Sequence, residues 1–164
     1  MSMFPNYKIG PQAMKFFELG YKAHAEGDFE QAIVYYKKSL EIELTAEAYT
    51  FLGWACSYMN RLAEAIDYCH KAIAIDPEFG NPYNDIGAYL IQAGDFEAAV
   101  PWLKRAKEAP RYDTPEYAFC NLGKVYELMA LWPLALKEYQ GALQHCGDYL
   151  PAREALERLK SYLN

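Results

Sequence analysis

Apolar residues along this chain recur at steps of three and four, and the stepping pattern returns roughly every 34 residues. Four segments carry its first half: Phe16, Leu19, Gly20 and Ala23; Tyr49, Leu52, Gly53 and Cys56; Tyr83, Ile86, Gly87 and Leu90; Phe119, Leu122, Gly123 and Tyr126. Each is followed at one fixed distance by a second half: Ala32, Tyr36 and Ser39; Ala65, Cys69 and Ala72; Ala99, Leu103 and Ala106; Ala135, Tyr139 and Ala142. Steps of this length lay one apolar stripe along a helix. Each copy therefore predicts two amphipathic helices folded against each other. The expected spans are about 13–26, 29–43, 46–59, 62–75, 82–93, 96–108, 115–129 and 132–146. The recurring Gly and Ala mark where the paired helices approach, since a larger residue there would overpack the contact at a cost of roughly 1–3 kcal/mol.

The residues between the stripes punctuate the helices. Gly27-Asp28 and Gly94-Asp95 supply a left-handed turn residue and then a helix N-cap. Asn60 takes the place of that Gly in the second copy, and Ala130 takes it in the fourth, where a slightly strained or differently shaped turn is expected. Asn81-Pro82 and Thr114-Pro115 set a capping side chain before a proline in the first turn. Pro101 and Pro133 are expected in the first turn of their helices, where a missing N–H costs little. The loop 109–113 accounts for a slightly longer third copy, and Trp132 matches the core positions of Phe29, Leu62 and Phe96. After Asp148, residues 150–163 are apolar on one face and charged on the other, as an end-capping helix must be. The leading segment 1–12, with Phe4-Pro5-Asn6 and Gly10-Pro11, either lies over the first copy or moves freely.

A repeat near 34 residues with this Gly and Ala signature resembles the tetratricopeptide repeat. The resemblance covers residues 13–149 as four copies: 13–45, 46–79, 80–115 and 116–149, preceded by an extension at 1–12 and followed by a cap at 150–164. It implies an all-α fold, a right-handed α-α superhelix of about nine helices, whose first helices line a concave groove. It also implies a non-enzymatic scaffold that binds a peptide or protein segment in that groove. The family's groove positions fall here on Phe17, Tyr21, Phe51, Trp54 and Tyr58 in the first two copies. In the last two they fall on Asn84, Asp85, Asn121 and Lys124. Aromatic anchors dominate interfaces, and amide side chains both donate to and accept from a peptide backbone. The alternative use of the rings is packing between copies, or against residues 1–12 folded into the groove.

One binding mode of the family is excluded at this level. A clamp for acidic C-termini needs Lys and Asn where this chain has Phe17 and Tyr21, Asn where it has Phe51, and cations where it has Asn81 and Asp85. The net charge of −6 and the lack of basic clusters argue against nucleic acid. No run of 18 apolar residues suggests a membrane span, and residues 1–12 lack the pattern of a secretory signal, so the expected location is cytoplasmic. Cys56, Cys69, Cys120 and Cys146 form no C-x-x-C pair and suit reduced, buried thiols. No cofactor or metal is expected. Three rivals remain: a chaperone like those of type III secretion, a self-assembling structural protein or homodimer, and an enzyme or metalloprotein using His24, Cys120 and Glu127.

Overall fold

Helix pairing follows directly from the Gly and Ala registers. In the computed structural model, which describes residues 3–163, nine α-helices run in order: α1 Pro11–Ala25, α2 Phe29–Ile42, α3 Ala46–Tyr58, α4 Leu62–Ile75, α5 Asn81–Ala93, α6 Phe96–Glu108, α7 Pro115–Leu128, α8 Trp132–His145 and α9 Leu150–Leu163. The fold is all-α, with hairpins α1/α2, α3/α4, α5/α6 and α7/α8. A Cβ on Gly20 would come within 2.6 Å of the Tyr36 ring, one on Gly87 within 2.5 Å of Leu103, and one on Gly123 within 2.8 Å of Tyr139. On Gly53 it would meet the Ala65 carbonyl oxygen at 2.9 Å. Across each pair Ala32, Ala65, Ala99 and Ala135 are fully buried.

The turns follow the punctuation closely. Gly27 and Gly94 adopt φ of 82° and 85°, and Asn60 and Ala130 both take φ of 58°. Ala130 therefore carries the left-handed strain expected of a residue with a Cβ. Asp28 accepts a hydrogen bond from the Gln31 N–H, and Asp95 accepts one from Ala98. Other caps differ from the reading of the sequence. The N-cap of α5 is Gly80, with Asn81 already inside the helix, and Thr114 makes no side-chain cap to α7. Thr45 instead caps α3, accepting from the Ala48 N–H. Pro101 lies inside α6 rather than in its first turn. There it removes the hydrogen bond to the Glu97 carbonyl, the ordinary cost of an interior proline. Trp132 opens α8 as an exposed residue, not a core one, whereas Phe29, Leu62 and Phe96 at the matching positions are half-buried.

Two compact units emerge, one up to Pro77 and one from Glu78 onward. The first comprises α1–α4 and the segment ahead of α1. The second comprises α5–α9. Its loop after α6 is tied down by hydrogen bonds from the Gly80 N–H to the Arg111 carbonyl and from the Arg111 N–H to the Glu78 carbonyl. Its core joins Leu103, Leu122, Val125 and Tyr139 to Ala152, Ala155, Leu156 and Leu159 of α9. Hence α9 covers the apolar side of the last hairpin. Among the described residues no helix is long and apolar enough to cross a membrane.

Candidate functional site

Steps of three and four on α1 bring Phe17, Tyr21 and His24 onto one face, and the same steps on α3 align Phe51, Trp54 and Tyr58. The two faces meet as a continuous aromatic surface in the N-terminal unit. Phe17 and Phe51 are 5.0 Å apart edge to face, Phe51 and Trp54 5.5 Å, and His24 and Trp54 4.2 Å. Tyr58 stacks on Phe29 at 4.6 Å with rings nearly parallel, and meets His24 edge-on at 5.5 Å. Spacings of this kind are favourable beyond the area they bury.

Exposure divides these rings. Trp54 is 37% exposed and Tyr58 58%, while Phe17 and Phe51 are buried and Tyr21 is half-buried. His24 is buried as well, and neither of its ring nitrogens meets a hydrogen-bond partner. Burial lowers its pKa to about 4, so the ring is neutral at physiological pH. Tyr21 also borders an open recess with Lys15, Glu18 and Lys22.

Phe17 and Phe51 are covered by the chain's own leading segment. The Tyr7 N–H donates to the Phe4 carbonyl at 3.2 Å, closing a turn with Pro5 and Asn6 at its centre. The turn stacks the Phe4 and Tyr7 rings at 5.0 Å. Phe4 then lies 5.1 Å from Phe17 and 4.9 Å from Tyr21, and Tyr7 lies 5.7 Å from Phe17 and 6.1 Å from Phe51. Past the turn, three carboxylates hold the segment. The Lys8 N–H donates to Glu47 at 2.9 Å, the Lys8 ammonium pairs with Asp76 at 2.8 Å, and the Gly10 N–H donates to Glu43. Of the two courses open to residues 1–12 in the sequence, the described part takes the one over the first hairpins; Met1 and Ser2 lie outside the described residues.

The C-terminal unit presents polar groups instead. Asn121 on α7 donates from Nδ2 to Asn84 Oδ1 on α5 at 3.0 Å, and Asn84 donates in turn to Asp85 at 3.4 Å. The two amides thus bond first to each other. Asp85 is half-buried, and desolvation raises its carboxyl pKa to about 7, with the Asn84 hydrogen bond opposing the shift. Lys124 is exposed. Glu127 is taken up by Tyr139, which donates at 2.7 Å, and by three guanidinium contacts from Arg158 of α9. Cys120 is half-buried and its thiol is pushed up to about 11 by burial, so little thiolate forms near neutrality. Cys56 and Cys69 are buried free thiols.

Beyond the Phe4-Pro5-Asn6 run, nothing in the sequence marked Tyr7, Lys8, Glu43 or Asp76 as parts of this arrangement. The available signal was the Phe4-Pro5-Asn6-Tyr7 run itself, a turn sequence flanked by two rings immediately before a lysine.

Comparison with known proteins agrees with this architecture. Family models described as "Tetratricopeptide repeat" match residues 13–45 and 46–79. Stress-induced-phosphoprotein 1 of Caenorhabditis elegans is 26% identical over 160 residues, covering 77% of this chain and 50% of that protein. The human cell division cycle protein 16 homolog is 28% identical over 121 residues, covering 68% of this chain and 19% of its own length. This chain thus spans half or less of these relatives. In fold it is similar to the crystal structure of PilW, a type IV pilus biogenesis factor, with a TM-score of 0.84, 19% identity, and coverage of 93% of this chain and 70% of that one.

Proposed function

The chain belongs to the tetratricopeptide repeat family, and from that premise we propose that it holds a peptide or protein segment of a partner on the first-helix faces of its hairpins. At the level the relatives support, it is a protein–protein interaction scaffold. The finer reading concerns where contact is made. In the N-terminal unit Tyr21, Trp54 and Tyr58 offer aromatic area for an apolar anchor. In the C-terminal unit Asn84, Asp85, Asn121 and Lys124 offer polar contacts on α5 and α7. Phe17 and Phe51 belong to the same aromatic surface but lie beneath it.

The observation that carries this reading is the exposure of Trp54 and Tyr58 on a surface whose other rings are buried or half-buried and mutually packed. Such rings lose little conformational entropy on binding, and central aromatic anchors contribute ~2 kcal/mol or more each. Capture on the immobilised full chain, with mass-spectrometric identification of what is retained, supplies the partner for measurement. Trp54→Ala with Tyr58→Ala is then expected to weaken its affinity by at least about 30-fold, with helical content by circular dichroism unchanged. Equal affinity for the variant and the parent chain would remove the site assignment.

A further inference from the structure

The segment ahead of α1 behaves as a ligand of the unit it belongs to. Its two aromatic rings insert edge to face among Phe17, Tyr21 and Phe51. Its backbone N–H at Lys8 is read by Glu47, a carboxylate only 1% exposed. Its ammonium meets Asp76, which is 9% exposed. A half-buried pair of rings, one buried carboxylate on the backbone and a second on a cation form a built recognition site for a short peptide.

We propose that residues 4–8 are an intramolecular occupant of this aromatic groove, and that the partner segment which replaces them is a peptide presenting two aromatic side chains from one turn followed by a lysine or arginine. The proposal rests on the reading above that the first-helix faces hold a partner peptide. Charge selects the ligand class: at the position after the turn Glu47 takes the Lys8 N–H and Asp76 its ammonium, and Glu43 takes the Gly10 N–H two residues on, so a cation there is attracted and an acidic residue repelled. Displacement is feasible because the segment covers the groove incompletely. Phe4 and Tyr7 are only half-buried and the Lys8 side chain is 62% exposed. Trp54 and Tyr58 remain exposed on the same surface, so a longer peptide gains contact area the internal segment leaves unused. The tether is short, since α1 begins at Pro11. An occupant so tethered competes at an effective concentration of about millimolar. It therefore excludes weak ligands and yields to strong ones.

The test uses the full chain and a fluorescein-labelled synthetic peptide of residues 3–10. Binding to the parent chain is compared with binding to Phe4→Ala/Tyr7→Ala, and to Lys8→Glu, which keeps both rings but sets a carboxylate against Asp76 and Glu47. Where the internal segment covers the groove nine-tenths of the time, freeing it raises apparent affinity about tenfold. Both variants are expected to bind the probe at least that much more tightly than the parent. Adding Asp76→Asn to Phe4→Ala/Tyr7→Ala is expected to reverse most of the gain. Equal probe affinity for the parent and both variants, with helical content retained, overturns the proposal. So does a concentration-dependent dimer in sedimentation velocity that disappears in Phe4→Ala/Tyr7→Ala, because the segment would then occupy a second copy's groove. Trp54→Ala/Tyr58→Ala separates the two readings. If it weakens partner capture while the probe binds the parent chain and both variants of residues 4–8 alike, the interaction surface stands and the internal competitor does not.

Discussion

His24 shows how one residue can be set by its neighbours rather than by its own chemistry. Its ring lies among Phe29, Trp54 and Tyr58, and both nitrogens are buried without partners. Charging it there means placing a cation in an apolar pocket. The folded-state pKa is about 4 against an ordinary 6.5. Between those values the unfolded chain binds more protons than the folded one. Stability is therefore full above pH 6.5 and declines as the pH falls towards 4. Replacing His24 with Phe removes the titrating group and keeps an aromatic shape. Urea unfolding at pH 7.5 and pH 4.5 is expected to show His24→Phe gaining on the parent chain by on the order of 2 kcal/mol at the lower pH. An unchanged gap between the two pH values would mean that the ring is solvated.

Helices here are defined by approach as much as by propensity. A glycine inside a helix costs roughly 1 kcal/mol relative to alanine, and four first helices carry one. The contact geometry explains why. At Gly53 the atom nearest an added Cβ is the Ala65 carbonyl oxygen, a backbone atom of the partner helix that cannot rotate away. The overpacking penalty of roughly 1–3 kcal/mol outweighs the propensity gain. Gly53→Ala is accordingly expected to lower the urea midpoint with no change in the slope of the transition, the mark of altered stability rather than altered compactness. A raised midpoint would show that α3 and α4 can move apart freely. The N-terminal segment is an element of another kind: it has no helix, yet a two-residue Pro5-Asn6 turn is enough to align its rings.

At the scale of the whole molecule, each unit is completed by a segment outside the hairpin pattern. In the N-terminal unit residues 4–8 cover Phe17 and Phe51. In the C-terminal unit α9 buries Leu156 and Leu159 against the last hairpin and ties Arg158 to Glu127. The two coverings differ in depth. Leu159 is 1% exposed whereas Phe4 is only half-buried. Fully burying a leucine contributes ~1.5–3 kcal/mol, so α9 supplies on the order of 5 kcal/mol through its two buried leucines and two buried alanines. Truncation before Leu150 is expected to lower the melting temperature by more than about 10 °C and to expose apolar surface that binds a hydrophobic dye. A truncated chain that melts like the parent would show the last hairpin to be stable uncovered.

Helix number, hairpin pairing and the close-contact glycines followed from local periodicity alone, because an apolar stripe and a missing Cβ act between residues near one another in the chain. Even the strain at Ala130 could be anticipated from its place in the turn. The fate of the aromatic surface on α1 and α3 could not. Whether Phe17 and Phe51 are open or covered depends on where a segment with no periodicity comes to rest. That is settled by long-range contacts: Phe4 against Phe51, Lys8 against Glu47, and Lys8 against Asp76 some 68 residues away. The amide pair Asn84–Asn121 is similar, since two side chains on different hairpins become each other's partners only once α5 and α7 are brought side by side. Local steps in the chain determine which surfaces exist; only the folded packing determines which of them stays uncovered.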